Sequence, residues 1–473
     1  MRLVMKFGGS SLSDGGKLRN VAGIAAKAFH EGHTVVVVVS ALSDVTDDLM
    51  ALSKEAQNGK ASEVKKTVLI LAEKHNHSVE TAVNNREIQE EVQKQLKILF
   101  ENLTNILLDV ATLKELSPRA QDFILSFGER FSAAIFCGVL KDLGMKTRWF
   151  TGQEAGIVTD NHFGSARPLM RMTTYEVREV LAPLLVLGIL PVVTGYIGAT
   201  PEGVTTTLGR GGSDNSATIL GAALEADEVW IWTDVDGLMT ADPKIEPKAQ
   251  TIPKISYEEA VEMAYFGAKG MHSMALVPAA EASIPVRIRN SLNPNAPGSL
   301  IVHEQSVKNH HVAKAIAMIR DVSLVNVNGA GMVGIPGMAA SVFSILGQND
   351  INILMISQSS SEANISFVVP QSSLLTAVNA LEMNLLGKGA VKEVTSEDNV
   401  CIIAVVGAGM RGSPGVAARV FRAAAEQDVN VRMIAQGSSE LNISFLVKAE
   451  DGVKTVRALH EEFRLSHQSP SAS

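Results

Sequence analysis

At 473 residues the chain exceeds one ordinary domain, and 46% hydrophobic with 19% charged residues is the balance of a globular protein with filled cores. A formal charge of −8 without a basic block argues against nucleic acid, and apolar runs such as Val35–Val39 fall far short of a membrane span of ~20 residues. Cys137 and Cys401 stand far apart in apolar surroundings and read as buried thiols, and Met1 leads straight into a strand, so a cytoplasmic protein without a signal peptide is expected.

In chain order, residues 1–303 alternate strands and helices, with apolar strands expected at Leu3–Phe7, Thr34–Val39, Leu190–Thr194, Val229–Thr233 and Val286–Ile288. Continuous apolar strands of this kind suit a mainly parallel sheet covered on both faces, an αβα sandwich. Residues 47–143 read as a helical insert.

Four loops at strand ends carry candidate chemistry, where open α/β sheets bind ligands. Lys6-Phe7-Gly8-Gly9-Ser10-Ser11 runs from a strand into Gly-Gly, a place where backbone amides and a lysine can meet phosphate; a plain turn explains it about as well. Gly209-Arg210-Gly211-Gly212-Ser213-Asp214-Asn215 precedes an Ala-rich helix. Ser213 or Asp214 could cap that helix, but a cap leaves Arg210 unexplained, and a guanidinium between glycines suits bidentate capture of a carboxylate. Thr233-Asp234-Val235-Asp236-Gly237, followed by Asp242-Pro243-Lys244, fits a nucleotide pocket, although Asp-Gly alone is usually a turn. Phe266-Gly267-Ala268-Lys269-Gly270 adds a lysine that could reach phosphate or sit on a helix surface. No Walker A pattern occurs in the sequence.

Beyond residue 304 the sequence repeats. Residues 329–369 align with 407–447 without a gap, 24 of 41 positions being identical. Each unit reads as strand, Gly-rich turn, helix, strand, turn, strand, helix. Strands are expected at Leu324–Val327, Asn352–Ser357, Ile365–Val369 and Val391–Thr395. The second unit lacks a closing strand, and Ala315–Ile319 is free to supply it, so one unit (about 321–397) would lie inserted in the other (312–319 plus 399–465). Both Gly329-x-Gly331-x-x-Gly334 and Gly407-x-Gly409-x-x-Gly412 match the dinucleotide fingerprint. That reading fails, because the next strand ends in Gln358 or Gln436 where the ribose needs an acid, and a hairpin follows where a crossover helix is required.

The motifs KFGGSS, VVVVVSALSDVTD, FGERFS, TTLGRGGSDNSA, WTDVDG, ADPK and FGAKGMH, followed by two ACT-like units, together resemble the aspartate kinases of the amino acid kinase superfamily, over nearly the whole chain. The resemblance implies transfer of the γ-phosphoryl of ATP to the side-chain carboxylate of aspartate, the first step toward lysine, threonine and methionine. It implies a catalytic set of Lys6, Asp214 and Lys269. Aspartate would lie against Ser40, Thr46, Glu129, Arg210, Gly211, Gly212, Ser213 and Asp214. ATP would lie against Lys6, Phe7, Gly8, Gly9, Thr233, Asp234, Met239, Asp242, Lys244, Lys269 and Gly270, with Mg²⁺ carried on its phosphates and no protein-held metal. Met239 stands where the family has an aromatic residue, and Met271-His272-Ser273 replaces Leu-His-Pro.

The substrate's chemistry agrees with this set. Aspartate presents two carboxylates and one ammonium, which Arg210 and Glu129 complement, and its reacting carboxylate is already ionised, so no general base is needed. A superfamily kinase with another acceptor, such as glutamate or UMP, or an inactive amino-acid sensor, are the competing readings; a fused homoserine dehydrogenase is not expected. Gln358 and Gln436 are expected to contact an amino-acid effector. Leu354 and Arg432 stand where lysine sensors carry an acid, and Arg432 would repel lysine, so the effector expected is threonine. Pairing of ACT edge strands across chains predicts at least a homodimer.

Overall fold

The structure, a computed structural model, describes residues 1–267, 271–303, 311–361, 363–387 and 390–467. Lys269 and Gly270 lie outside the described residues. Two compact units emerge: Met1–Leu238, Pro253–Val261 and Lys269–Val307 form the first, and Met239–Ile252, Glu262–Ala268 and Lys308–Ser473 form the second. The division departs from a single cut after residue 303, and the reason is hydrophobic. Ala241 and Ile245 share a core with Ile403, Phe445 and Leu459, and the Ile316 amide donates to the Thr240 carbonyl at 2.8 Å.

The first unit opens with β1 (Arg2–Phe7), α1 (Gly15–His30) and β2 (Thr34–Val39). The helical insert follows as α2 (Val45–Gln57), α3 (Ala61–Ala82), α4 (Arg86–Leu113), α5 (Pro118–Leu125) and α6 (Phe127–Asp142). Then come β3 (Thr147–Phe150), α7 (Met170–Val186), β4 (Leu190–Thr194), the hairpin β5 (Ile197–Ala199) and β6 (Thr205–Thr207), α8 (Gly212–Leu224) and β7 (Glu228–Thr233). The unit ends with β8 (Lys254–Ser256), α9 (Tyr257–Tyr265, whose last residues belong to the second unit), α10 (Val277–Glu281), β9 (Val286–Asn290) and β10 (Ser299–Val302). Eight strands order as β3-β4-β2-β1-β7-β9-β10-β8, parallel throughout except for β9 against β10.

Alternation along β1 and β2 sends Leu3, Met5, Phe7, Val35, Val37 and Val39 to one face, where they meet α1, α3, α4 and α6 in a single core. The five strands not anticipated, β3, β8 and β10 in this sheet and the hairpin pair β5 and β6, are three or four residues long, too short for a periodic signal. Contrary to the run-length reading, Pro118–Asp142 is long and apolar enough to cross a membrane; its apolar window is 89% buried in the fold, where α6 is a core helix.

The second unit comprises β11 (Ala315–Asn328), α11 (Met338–Gln348), β12 (Met355–Gln358), β13 (Asn364–Pro370), α12 (Leu374–Leu385), β14 (Glu393–Val406), α13 (Val416–Ala425), β15 (Met433–Ala435), β16 (Asn442–Lys448) and α14 (Gly452–Glu462). Its antiparallel sheet runs β12-β13-β11-β14-β16-β15. The separate strands expected at 315–319 and 324–327 are one strand, β11, broken in register between Ile319 and Val322, where Asp321 is left-handed. Likewise the strand expected at 391–395 continues as β14 to Val406. The first half of β11 pairs with Ile402–Val406 and the second half with Glu393–Val400. Each repeat keeps its own core: Val325, Val342, Phe367 and Leu381 in one are matched by Ile403, Val420, Phe445 and Leu459 in the other. Each Gly-rich turn leads through a helix into an antiparallel hairpin, which removes the dinucleotide-fold alternative.

Candidate active site

Lys6 sits at the C-terminal end of β1, one residue before the chain leaves the sheet. Alternation points Phe7 into the core, stacked between Phe136 and Trp232 with centroids 5.6 and 6.1 Å away. Its side chain is fully buried, so the expected ATP contact of Phe7 is limited to its backbone. Lys6 faces the other way. The residue is 9% exposed, and its ammonium lies 2.5 Å from Asp214 Oδ1 on the first turn of α8. That pair settles how Asp214 is used. The N-cap of α8 is Gly211, left-handed at φ +72° and without a side-chain cap, so neither Ser213 nor Asp214 caps the helix.

The Gly-Gly turn is only partly open to a phosphate. The Gly8 amide donates to the Trp232 carbonyl at 3.3 Å, which corrects the expectation that both glycine amides are available. At Gly9 a side chain would come within 3.1 Å of the Ala41 carbonyl, so the close approach of the two strand-end loops favours glycine there.

One cavity of about 600 Å³ brings together Lys6, Gly9, Ser40, Thr46, Glu129 and Arg210 to Asp214. Glu129, on the first turn of α6, is 3% exposed and one of its carboxyl oxygens has no hydrogen-bond partner. Burial pushes this carboxyl up to about 8, against the opposing pull of the Ala41 amide, its own amide and the Lys6 charge. Arg210 is exposed and unpaired among the described residues, a guanidinium held at the mouth between two left-handed glycines. The cavity thus offers two cations and a buried acid with spare acceptor capacity, a set matched to a small zwitterion with an extra carboxylate.

Several lining residues were not anticipated, among them Ser43, Asp44, Gly164 and Tyr196. Asp44 and Tyr196 adopt left-handed backbone at φ 70° and 65°, a strain that non-glycine residues store most often at functional sites. Asp44, directly before α2, carries the sequence signal of a helix start after the valine strand; nothing local marks Tyr196. A side chain at Gly211 would collide with His272, so the Met271-His272-Ser273 segment packs on the Arg210 loop.

Of the residues expected to meet ATP, Thr233 ends β7, and its carbonyl accepts the Ser291 amide and hydroxyl at 2.9 and 3.1 Å. Asp234 is exposed and accepts from the Thr233 hydroxyl at 3.2 Å. Asp242 and Lys244, both exposed, form an Asx-type turn in which Asp242 accepts the Lys244 amide at 2.9 Å. Met239 bridges to Thr251. These last three belong to the second unit, and Thr233 and Asp234 to the first.

In the first repeat, Gln358 closes β12 and lines a cavity of about 320 Å³ with Met332, Gly334, Ile335, Pro336 and Met338. Gln436 lies just beyond β15 and is exposed. There the Gly412 amide is taken by Glu440 at 2.6 Å. Arg432 is not a free cation, as the charge argument assumed, but pairs with Glu397 on β14 at 2.6 Å.

Residues 1–290 match the amino acid kinase family, and residues 325–385 and 403–463 match the ACT domain. The bifunctional aspartokinase/homoserine dehydrogenase 2 of Arabidopsis thaliana is 34% identical over 98% of this chain and 51% of its own length, so the chain spans about half of such relatives. Aspartokinase 2 of the same plant is 34% identical over 97% of this chain and 84% of its own. Escherichia coli aspartokinase III, solved with aspartate and ADP, superposes with a TM-score of 0.81 at 30% identity, covering 98% and 100% of the two chains. The same enzyme solved with lysine and aspartate gives 0.82 at 31%, covering 98% and 99%. The chain belongs to the aspartokinases of the amino acid kinase family.

Proposed function

We propose that this chain transfers the γ-phosphoryl of ATP to the side-chain carboxylate of L-aspartate, giving 4-phospho-L-aspartate. The observation that carries the reading is the charge set of one cavity: Lys6, Arg210, Glu129 and Asp214 complement two carboxylates and an ammonium. In this reading Arg210 takes the α-carboxylate, Glu129 the ammonium, and Ser40, Thr46 and Ser213 the remaining polar atoms. Lys6, held by Asp214, faces the reacting carboxylate and lowers the repulsion between acceptor and donor phosphate. Rate acceleration then comes from alignment and preorganised positive charge. Thr233, Asp234, Asp242 and Lys244 serve the nucleotide. Mg²⁺ would arrive on the ATP phosphates and neutralise part of their charge; among the described residues no group of three or more His, Cys, Asp or Glu gathers as a metal cage.

The test is an ATP-dependent assay that traps the acyl phosphate as hydroxamate, run with aspartate, glutamate and UMP. Hydroxamate from aspartate supports the reading. None from aspartate, with product from another acceptor, overturns it.

We further propose feedback inhibition by threonine acting at the Gln358 cavity. Its described lining residues include no acid to meet a lysine ammonium, whereas the Gln358 amide suits a hydroxyl. Since Glu397 balances Arg432, repulsion of lysine plays no part in this argument. Assembly through the ACT units into a homodimer or larger oligomer belongs to the same reading, and light scattering at micromolar concentration reads it directly.

A further inference from the structure

Asp122 lies in the middle of α5, a short helix started by Ser117, whose hydroxyl accepts the Ala120 amide at 3.2 Å. A mid-helix aspartate normally faces water, yet Asp122 is 1% exposed. Its carboxylate is fully engaged by neutral donors. Oδ2 accepts the Gly164 amide at 2.9 Å and the Thr207 amide at 2.8 Å, and Oδ1 accepts the Thr207 hydroxyl at 2.9 Å.

Those donors belong to two walls of the cavity. Gly164 lines it directly, and Thr207, the last residue of β6, stands two positions before Gly209 and three before Arg210. The walls also touch each other. The Ala166 amide donates to the Thr207 carbonyl at 2.9 Å, and a side chain on Gly209 would meet the Gly164 carbonyl at 3.1 Å. Tyr196 joins the same array: its carbonyl accepts the Leu208 amide at 2.9 Å, and its phenol lies beside the Thr207 hydroxyl. A buried anion is costly, and holding two loops for folding alone does not require one. What the anion adds is stiffness, since charge-assisted hydrogen bonds are shorter and about twice as strong as neutral ones.

We propose that Asp122 is a positioning residue for substrate recognition: its one buried carboxylate fixes the Gly164 and Thr207 walls so that Arg210 meets the substrate carboxylate in register. This deepens, and rests on, the aspartate kinase reading. Asp122 touches no substrate in this account and acts through the loop it clamps.

The test is steady-state kinetics of the full chain with aspartate and ATP varied separately, together with hydrogen exchange over residues 205–214 in the ligand-free protein. In Asp122→Ala the KM for aspartate should rise ~10²-fold, the usual consequence of a displacement of about 1 Å at a binding group, while the KM for ATP stays within ~2-fold. Exchange over 205–214 should quicken. Asp122→Asn should recover part of both effects but not all, because its carbonyl oxygen still accepts the two amides, though as neutral rather than charge-assisted bonds. Thr207→Val removes only the hydroxyl and should raise the aspartate KM by roughly 3- to 10-fold, the loss of one hydrogen bond. It carries the test should Asp122→Ala not fold. Unchanged aspartate KM and exchange in these variants would overturn the proposal, as would equal rises in both KM values that Asp122→Asn does not relieve. If the wild-type chain makes no hydroxamate from aspartate, the functional reading fails instead, and exchange still reports whether the clamp exists.

Discussion

Glu129 offers a direct measurement of how the cavity receives an amino acid. With the carboxyl raised to about 8 by burial, the group is mostly protonated at pH 7 in the ligand-free protein. A docked ammonium reverses the balance, because an opposite charge in contact favours the carboxylate. Aspartate binding at pH 7 should therefore release most of one proton per site, falling toward zero at pH values well above 8. Titration calorimetry at pH 7 in buffers of different ionisation enthalpy gives that number as the slope of observed heat against buffer heat. Glu129→Gln should bring the slope close to zero and weaken binding.

The same shift has a stability counterpart whose sign is fixed. Between about 4.5 and about 8 the folded chain keeps a proton that the unfolded chain has released. The contribution is therefore fully present below about 4.5 and is lost as pH rises toward 8. Melting temperatures of wild type and Glu129→Gln should thus diverge with pH in that window, the variant showing the flatter profile. A wild-type calorimetric slope of zero with intact aspartate binding would refute the reasoning, since it would mean that Glu129 is already ionised or does not meet the ammonium.

Lys6→Ala should lower kcat by ~10²–10³ with a smaller effect on aspartate binding, as expected for loss of a preorganised cation at developing charge; a near-normal kcat would remove Lys6 from the mechanism. Arg210→Lys keeps the charge but loses the planar fork, so the KM for aspartate should rise steeply while that for ATP moves little, and the reverse pattern would assign the loop to the nucleotide. Threonine should inhibit more strongly than lysine, and Gln358→Ala should shift its inhibition curve by roughly 5-fold or more, about the worth of one hydrogen bond; strong inhibition by lysine alone would sink the effector assignment.

The fold class and the repeat were legible because their signals are local. Continuous apolar runs mark buried parallel strands, and a gap-free duplication marks two copies of one core. Lys6 and the Arg210 loop were legible for a related reason, since a cation next to glycines is unusual chemistry within six or seven residues. Phe7 shows the limit of that logic. It shares a motif with Lys6, but strand alternation gives the two residues opposite faces, and only one reaches the cavity.

Asp122 was beyond the reach of sequence for a different physical reason. Its partners stand 42 and 85 positions away, so its role exists only once the 160s loop and β6 are stacked over α5. Read locally, it is one more acid on an amphipathic helix. Asp214 makes the complementary case. An acid in the first turn of a helix has a sufficient local explanation, favourable contact with the helix dipole, and that explanation is available whether or not a lysine lies across the sheet. Local sufficiency therefore hid the ion pair with Lys6, which the parallel stacking of β1 beside β7, with α8 running between β6 and β7, makes possible. Residues whose chemistry is satisfied within one turn of chain are thus poor indicators of whether they also belong to a site. A glutamate such as Glu129, buried with an oxygen left over, is a better one, because burial without a partner has no structural benefit to account for it.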